Sequence, residues 1–431
     1  MRRGPRAAAA ALAGAALLAA GCVGCGSAPA SLQKPIVSRG VAARVPAGDP
    51  RALAVADTSF GLDVLGALCR ADPRANIVLS PDSLAAGLGM AYLGARGGTA
   101  RAMARVLHLP PAGQGLLADL HARSAALRAA DGPGVTVRES DLVWADPSLP
   151  TRRSYLNDLA TGYGAGLERV PLLNKPDQAI RQIDAAIASA TRGHIPQLLA
   201  PGSLSGIGWV LTDALYLNAN WATPFQASQT SRGSFTTAAG QRVSAHFLNG
   251  DGYSFTQDGG WTGVALPYRG GKLSMVALLP DSGARGCPAL SAADLGKVTG
   301  GLALAGGGTG SSGSSGQADI ALPKVSLSTK SSMSGLLSKL GMGIAFSQRA
   351  DFTGLSRDAC CIGLVMHAAT LRVGEKGTVA SAATAVGVQT ATAPYKQPRI
   401  VTFDRPYVLL VTDTATGEPL FLARVANPAA S

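Results

Sequence analysis

Five histidines, His108, His121, His194, His246 and His367, stand among many serines and aspartates in this 431-residue chain and supply the residue types of a hydrolytic triad. Their spacing does not supply the site. No GxSxG elbow presents a serine, and no HExxH pair places two ligands on one helix face. A histidine in such surroundings serves as a cap, a surface group or a core hydrogen-bonding group, so an enzyme is a poor reading. Cys22 and Cys25 have CxxC spacing, but no strand or helix pattern surrounds them and no second pair follows. Gly308, Gly310 and Gly313 match the dinucleotide-binding GxGxxG, yet composition alone generates that match: no strand leads into it and no helix opens at its glycines. Neither a cofactor nor a metal is implied.

What could position functional residues is bounded by composition. With 47% hydrophobic and 15% charged residues the chain can bury a large core, and its 54 glycines imply many turns. The length suits nearly three average domains or one large fold. Lys and Arg number 38 against 26 Asp and Glu, a formal charge of +12, but Arg2, Arg3 and Arg6 sit at the extreme N-terminus and the rest are dispersed. No nucleic-acid partner follows.

Met1 to Arg6 is a basic leader, and Ala7 to Ala20 is an unbroken run of small and apolar residues. That run reaches about 21 Å as a helix, short of about 30 Å of hydrocarbon, so residues 1–21 read as an export signal rather than a spanning helix. Leu18, Ala19, Ala20, Gly21 and Cys22 resemble a bacterial lipoprotein cleavage box, with Ala19 in place of the usual Leu. The resemblance implies lipid on Cys22 and residence on the outer face of a membrane. An ordinary secretory cut near Ala28 or Ala30 is the alternative, and either route is extracytoplasmic. Residues 22–50, rich in Gly, Ser, Pro and Ala, read as a flexible tether ahead of a folded body over 51–431. Export permits one or two disulfides among Cys69, Cys287, Cys360 and Cys361, with the pairing left open; Cys360 and Cys361 are poor partners for each other, their Cα atoms being about 3.8 Å apart.

Along the body, apolar positions Leu53, Phe60, Val64, Leu65 and Leu68 predict a helix, and Asn76 to Leu79 a short buried strand. Ser80 and Pro81 then read as cap and first turn of a helix through Leu93. Further helices are expected over Thr99–Leu107, Ser154–Ala160 and Pro176–Ala190. Strands are expected over Val135–Val143, Val210–Leu217, Gly263–Pro267 and Leu273–Leu279, so sheet dominates the middle and C-terminal parts. Residues 301–317 read as a Gly/Ser-rich surface loop.

The unusual segment is Glu375–Thr392, which contains no proline. Read with period 2, one face carries Thr378, Ala380, Ala382, Thr384, Val386, Val388 and Thr390, small or β-compatible and without charge. The other face, Val379, Ser381, Ala383, Ala385, Gly387 and Gln389, is equally tolerant. Such a segment can leave solvent and become an interior strand at small side-chain cost, with no missing N–H to interrupt a ladder.

This pattern resembles the hinge of the serpins, serine-protease inhibitors whose exposed reactive loop enters their own sheet A after attack. Glu375, Gly377, Thr378, Ala380, Ser381, Ala382, Ala383 and Thr384 match that hinge, while Val379 replaces the usual Glu. The likeness extends over about residues 53–430 through Asn76 to Pro81, Leu93 to Thr99, Asp213 to Tyr216 with Trp221, Pro224 and Phe225, and Phe403 to Pro406 with Arg424 to Pro428. It implies an α+β multi-layer fold with a large mixed sheet A, two further sheets, eight to nine helices and an exposed loop over 375–398. Ser80, Ser83, Asp213 and His367 would lie at the shutter, where sheet A parts, and Trp221 at the breach, where the loop enters. Asp213 replaces the family Asn and so lacks its amide donors. Counting from the hinge puts the reactive bond at Ala391–Thr392, which suits elastase-like or subtilisin-like proteases; counting back from Phe403 points to Tyr395 and a chymotrypsin-like one. The partner is thus a serine protease met by a monomer. A non-inhibitory binding or surface serpin is the alternative, on account of Val379, Gly387 and Asp213.

Overall fold

The computed structural model describes residues 35–283, 285–307, 315–378 and 399–430, and at 304–307 the backbone alone. The described residues form eight α-helices: α1 (Pro50–Ala71), α2 (Pro81–Gly94), α3 (Gly97–Val106), α4 (Gln114–Ala130), α5 (Arg153–Tyr163), α6 (Pro176–Ala190), α7 (Ala292–Gly307) and the single turn α8 (Ser334–Leu337). Proline stands in the first turn of α1, α2 and α6, where its missing N–H forfeits no helical bond. Asp49 and Ser80 cap α1 and α2 by accepting from the N–H groups of Arg51 and Ser83. The Ser80 cap is the one its sequence predicts. Every residue of α2 is buried, so this helix is the central prop of the fold rather than a surface helix.

The first sheet contains β1 (Ile36–Ser38), β3 (Val135–Glu139), β4 (Leu142–Ala145), β5 (Leu167–Arg169), β6 (Trp209–Asn220), β12 (Val325–Ser332), β13 (Leu364–Val373) and β14 (Gly377–Thr378). Its order is β1-β5-β4-β6-β13-β12, with β3 and β14 also on β6. The second contains β2 (Ile77–Leu79), β7 (Ser231–Thr236), β8 (Arg242–Asp258), β9 (Trp261–Pro267), β10 (Leu273–Pro280), β11 (Ser315–Pro323), β15 (Arg399–Thr402), β16 (Tyr407–Asp413) and β17 (Pro419–Val425). Its order is β15-β11-β8-β9-β10-β16-β17-β2, with β7 on β8. Among the described residues the two further sheets expected are joined as one. The cause is the length of β8: its first half pairs with β7, its last residues with β9, and β11 runs beside most of it, stitching both groups into one ladder.

Three other expectations change. Residues 36–49 are laid against the body rather than free in a tether: β1 pairs with β5, and the N–H groups of Val41, Ala43 and Asp49 donate to Asn157 Oδ1, Thr161 Oγ1 and Asp119 Oδ1. Side-chain acceptors on α4 and α5 satisfy a backbone whose own residues carry no apolar periodicity. The Gly-rich segment is helical through Gly307 and a strand from Ser315, because Leu295, Val298 and Leu302 form a buried stripe that outweighs glycine's poor helix propensity. The strand expected over Val135–Val143 is interrupted at Ser140 and Asp141, although β3 and β4 keep one register against β6, since Asp141 turns its carboxylate to Ser83.

Cys69, at the end of α1, is joined to Cys287 across 218 residues of sequence, while Cys360 and Cys361 are free thiols. A loop that long makes the cross-link effective against the unfolded chain. Replacing Cys69 and Cys287 by Ala is expected to cost about 3–5 kcal/mol, read as a lowered midpoint in denaturant with oxidised wild type as the reference.

Candidate functional site

The mixed sheet has a seam. β6 and β13 run parallel and pair directly from Leu364↔Val210 to Ala369↔Leu215. Above that ladder β13 turns at Gly374, and the chain returns as β14, antiparallel to β6, with Gly377 opposite Asn220 and Thr378 opposite Ala219. Among the described residues, Tyr216, Leu217 and Asn218 have no ladder partner on this edge of β6. Among the described residues the seam is closed below by the β6–β13 ladder and occupied at its top by the two residues of β14.

Gly377 is required at that position. Its φ is +150°, and a Cβ there would lie 2.0 Å from the Ala219 carbonyl oxygen. The turn is moored on Trp221, whose indole N–H donates to Gly374 O at 2.9 Å and whose ring stacks on Tyr268 at 4.6 Å. Backbone N–H groups of Trp221 and Phe225 donate to Lys376 O and Glu375 O. Tyr268 Oη and Thr378 Oγ1 are 2.6 Å apart in a buried pair, and burial raises the phenol so that it stays neutral and able to donate. Burial alone would also raise the Glu375 carboxyl, but the Lys324 ammonium at 2.8 Å and the Thr230 hydroxyl hold it below the ordinary glutamate range. Trp221, the residue expected at the breach, is thus brought together with the turn that carries Glu375, Gly377 and Thr378. Tyr268, Lys324 and Thr230 were not legible as partners: each comes from a distant strand or turn and carries no motif.

Lower in the seam the expected shutter residues meet. His367 Nδ1 lies 2.5 Å from Asp213 Oδ1, and the Ser80 N–H donates to His367 Nε2 at 3.3 Å. One ring nitrogen thus accepts, so the imidazole is neutral and Nδ1–H donates to the carboxylate. Ser83 Oγ lies 2.6 Å from Asp141 Oδ1 and 3.2 Å from Asp213 Oδ1. A hydroxyl has one proton for two carboxylates. Burial, then the Glu139 charge and hydrogen bond, then Asp213, push Asp141 well above the usual aspartate range. Its folded state therefore binds a proton that the unfolded chain has lost. The stability this gives is complete below the ordinary aspartate value and disappears as pH rises through the elevated one. Asp141→Asn keeps an acceptor for Ser83 without the charge, and is expected to unfold about 1–2 kcal/mol later than wild type at neutral pH, the difference closing in acid. A series of denaturant midpoints against pH checks it.

Residues Ala380, Ser381, Ala382, Ala383 and Thr384 of the hinge, the bond Ala391–Thr392, the alternative Tyr395 and the lipidation candidate Cys22 lie outside the described residues. α6 covers the closed part of the seam: Ile180, Ile183 and Ile187 pack in one cluster with Trp144 on β4, Val210 and Ala214 on β6, and Ala368 on β13. Any strand entering between β6 and β13 must pass beneath it.

A family model described as Serpin (serine protease inhibitor) matches residues 55–428. An uncharacterized serpin-like protein of Thermococcus kodakarensis is 30% identical over 393 residues, covering 88% of this chain and 87% of its own length. The human leukocyte elastase inhibitor is 28% identical over 389 residues, covering 87% and 99%. Among solved structures, the thermophilic serpin tengpin in its native state superposes with a TM-score of 0.77 at 21% identity, over 92% of this chain and 100% of that one. With a family match from within α1 to beyond β17, the chain belongs to the serpin family.

Proposed function

We propose that this chain inhibits a serine protease as a suicide substrate. As a serpin it is a pseudo-substrate and not an enzyme, and the chemistry belongs to its target. The protease serine would attack the Ala391 carbonyl, the Ala391–Thr392 bond would break, and the Thr392 nitrogen would leave as an amine with the proton taken from the serine. The acyl-enzyme must then be overtaken by strand insertion.

The observation that carries this reading is the two-residue strand β14, already antiparallel to β6 above a closed parallel ladder. Extending its register would set Ala380 opposite Leu217, Ala382 opposite Leu215, Thr384 opposite Asp213 and Val388 opposite Trp209, the first residue of β6. The alternating face read from Thr378 would then reach the end of the acceptor strand at Val388, with Thr390 just beyond it. A bond at Ala391 leaves three residues to carry the acylated end past the sheet, which favours Ala391 over Tyr395. A small P1 residue suits an elastase-like or subtilisin-like S1 pocket, and a relative named for leukocyte elastase is in keeping with that.

The test is incubation with elastase, subtilisin and chymotrypsin, followed by denaturing electrophoresis and mass analysis. A covalent adduct with one cut at Ala391 is expected. Complete loop cleavage without adduct would mean a non-inhibitory serpin. The protein is further proposed to act outside the cytoplasm as a monomer, held on a membrane by lipid on Cys22; the Cys69–Cys287 bond favours an oxidising compartment. Intact mass of the processed chain decides between acylated Cys22 and a soluble product cut near Ala28 or Ala30.

A further inference from the structure

Behind the seam, three carboxylates converge in the core. Asp57 comes from α1, Asp82 from the first turn of α2, and Glu418 from the turn between β16 and β17. One carboxylate oxygen from each lies within 4.8 Å of the others, and all three residues are about 1% exposed or less. Arg123 of α4 enters from one side, with Nη1 at 2.8 Å from Asp57 Oδ2 and 3.4 Å from Asp82 Oδ1. That guanidinium satisfies Asp57. Apart from contacts among the carboxyls themselves, both oxygens of Asp82 and both of Glu418 have no hydrogen-bond partner, and Arg123 Nε is likewise unpaired.

Four buried oxygens without a partner outside the cluster, on two side chains turned toward each other and toward a third carboxylate, are a costly arrangement for a protein core. Were all three ionised, the carboxylates would leave two surplus negative charges against one guanidinium. A single divalent cation cancels that surplus and supplies a partner for the unsatisfied oxygens. The donor set is oxygen only, which selects hard cations over zinc or copper. Complete burial further favours Ca²⁺, which accepts six to eight oxygens in irregular geometry, over Mg²⁺, which retains several waters.

We infer that Asp57, Asp82 and Glu418 form a structural divalent-cation site, with Ca²⁺ the fitting ion and Arg123 held beside it as the residual counter-charge. The site joins α1, α2 and the β16–β17 turn at one point. Asp82 stands between the Ser80 cap and Ser83, both of which face the shutter, so an ion here fixes the helix turn on which His367 and Asp213 rest. Occupancy stiffens the floor of the seam without touching the reactive loop, and the inference does not depend on whether the protein inhibits a protease.

The experiment uses the full chain. Protein dialysed into metal-depleted buffer is analysed for elements, then unfolded thermally at one scan rate with EDTA, with Ca²⁺, with Mg²⁺ and with Zn²⁺. About one Ca²⁺ per chain is expected, with an apparent Tm about 3–5 °C higher in Ca²⁺ at a hundredfold excess over its Kd than in EDTA. Glu418→Gln, which keeps side-chain shape, should fold, lose the bound ion and lose the Ca²⁺ dependence of Tm. Because the wild-type comparison needs no variant, a poorly folding mutant does not remove the test. Metal-free wild type whose Tm is the same in EDTA and in Ca²⁺ would overturn the site and leave shared protons as what balances the carboxyls. Bound Ca²⁺ that survives both Glu418→Gln and Asp57→Asn would place the ion elsewhere and overturn it equally.

Discussion

Thr378→Arg is expected to convert the protein from a trap into a substrate. Thr378 is 1% exposed, its hydroxyl is 2.6 Å from the Tyr268 phenol, and its backbone pairs with Ala219 at the top of the seam. An arginine there must either bury a guanidinium beside a neutral phenol or pull β14 off β6. Either route costs several kcal/mol when no carboxylate compensates the charge. A penalty of only about 3 kcal/mol on the insertion step slows it about a hundredfold. Deacylation by the target is untouched by the substitution, so it wins the contest. The expected readout is full cleavage at Ala391 with the covalent adduct reduced tenfold or more, while Thr378→Val, which loses one hydrogen bond of about 1 kcal/mol, keeps most of the adduct. An unchanged adduct fraction in Thr378→Arg would mean that insertion does not proceed from the β14 register.

What could be read from the sequence was local or motif-borne. Ser80 with Pro81 announces the start of α2 because a cap and a first-turn proline are chemical events within four residues. Thr378 is legible as inward-facing because strand alternation has a period of two and the segment is free of charge. Asp213 and His367, named together from the family resemblance, are hydrogen-bonded, and Trp221 stands apart from them at Gly374. The partners that give those residues their electrostatics were not legible. Asp141 reaches Ser83 through an interruption between β3 and β4, and Lys324 reaches Glu375 from the junction of β11 and β12. Neither contact leaves a periodic trace. The docking of residues 36–49 has a related cause: a three-residue edge strand is too short to alternate, and the N–H groups of Val41 and Ala43 that follow it donate to side chains over a hundred positions away. Cys69 and Cys287, 218 residues apart, illustrate the same limit, since spacing names candidates and only the fold brings two of them together.

Trp221→Ala should produce the largest loss of stability of any single change at the seam. The indole is 1% exposed, stacks on Tyr268, meets Phe225 edge-on at 6.3 Å and donates to Gly374 O. Truncating a buried tryptophan costs about 3–5 kcal/mol, part of it the cavity that remains. Gly374 would lose its donor at the turn that holds β14 against β6, and the Tyr268–Thr378 pair would lose the ring that fixes the phenol. Trp221→Phe separates these effects: it retains an aromatic surface for Tyr268 but removes the N–H, and the expected cost falls to about 1–2 kcal/mol. Equilibrium unfolding gives the two costs, and hydrogen exchange at the amides of Trp221 and Phe225, which donate to Lys376 and Glu375, reports whether the mooring has loosened. Faster exchange at both amides in Trp221→Ala, with little change in Trp221→Phe, is the pattern expected if the ring carries the breach. Equal loosening in the two variants would assign the mooring to the indole N–H and its bond to Gly374 instead.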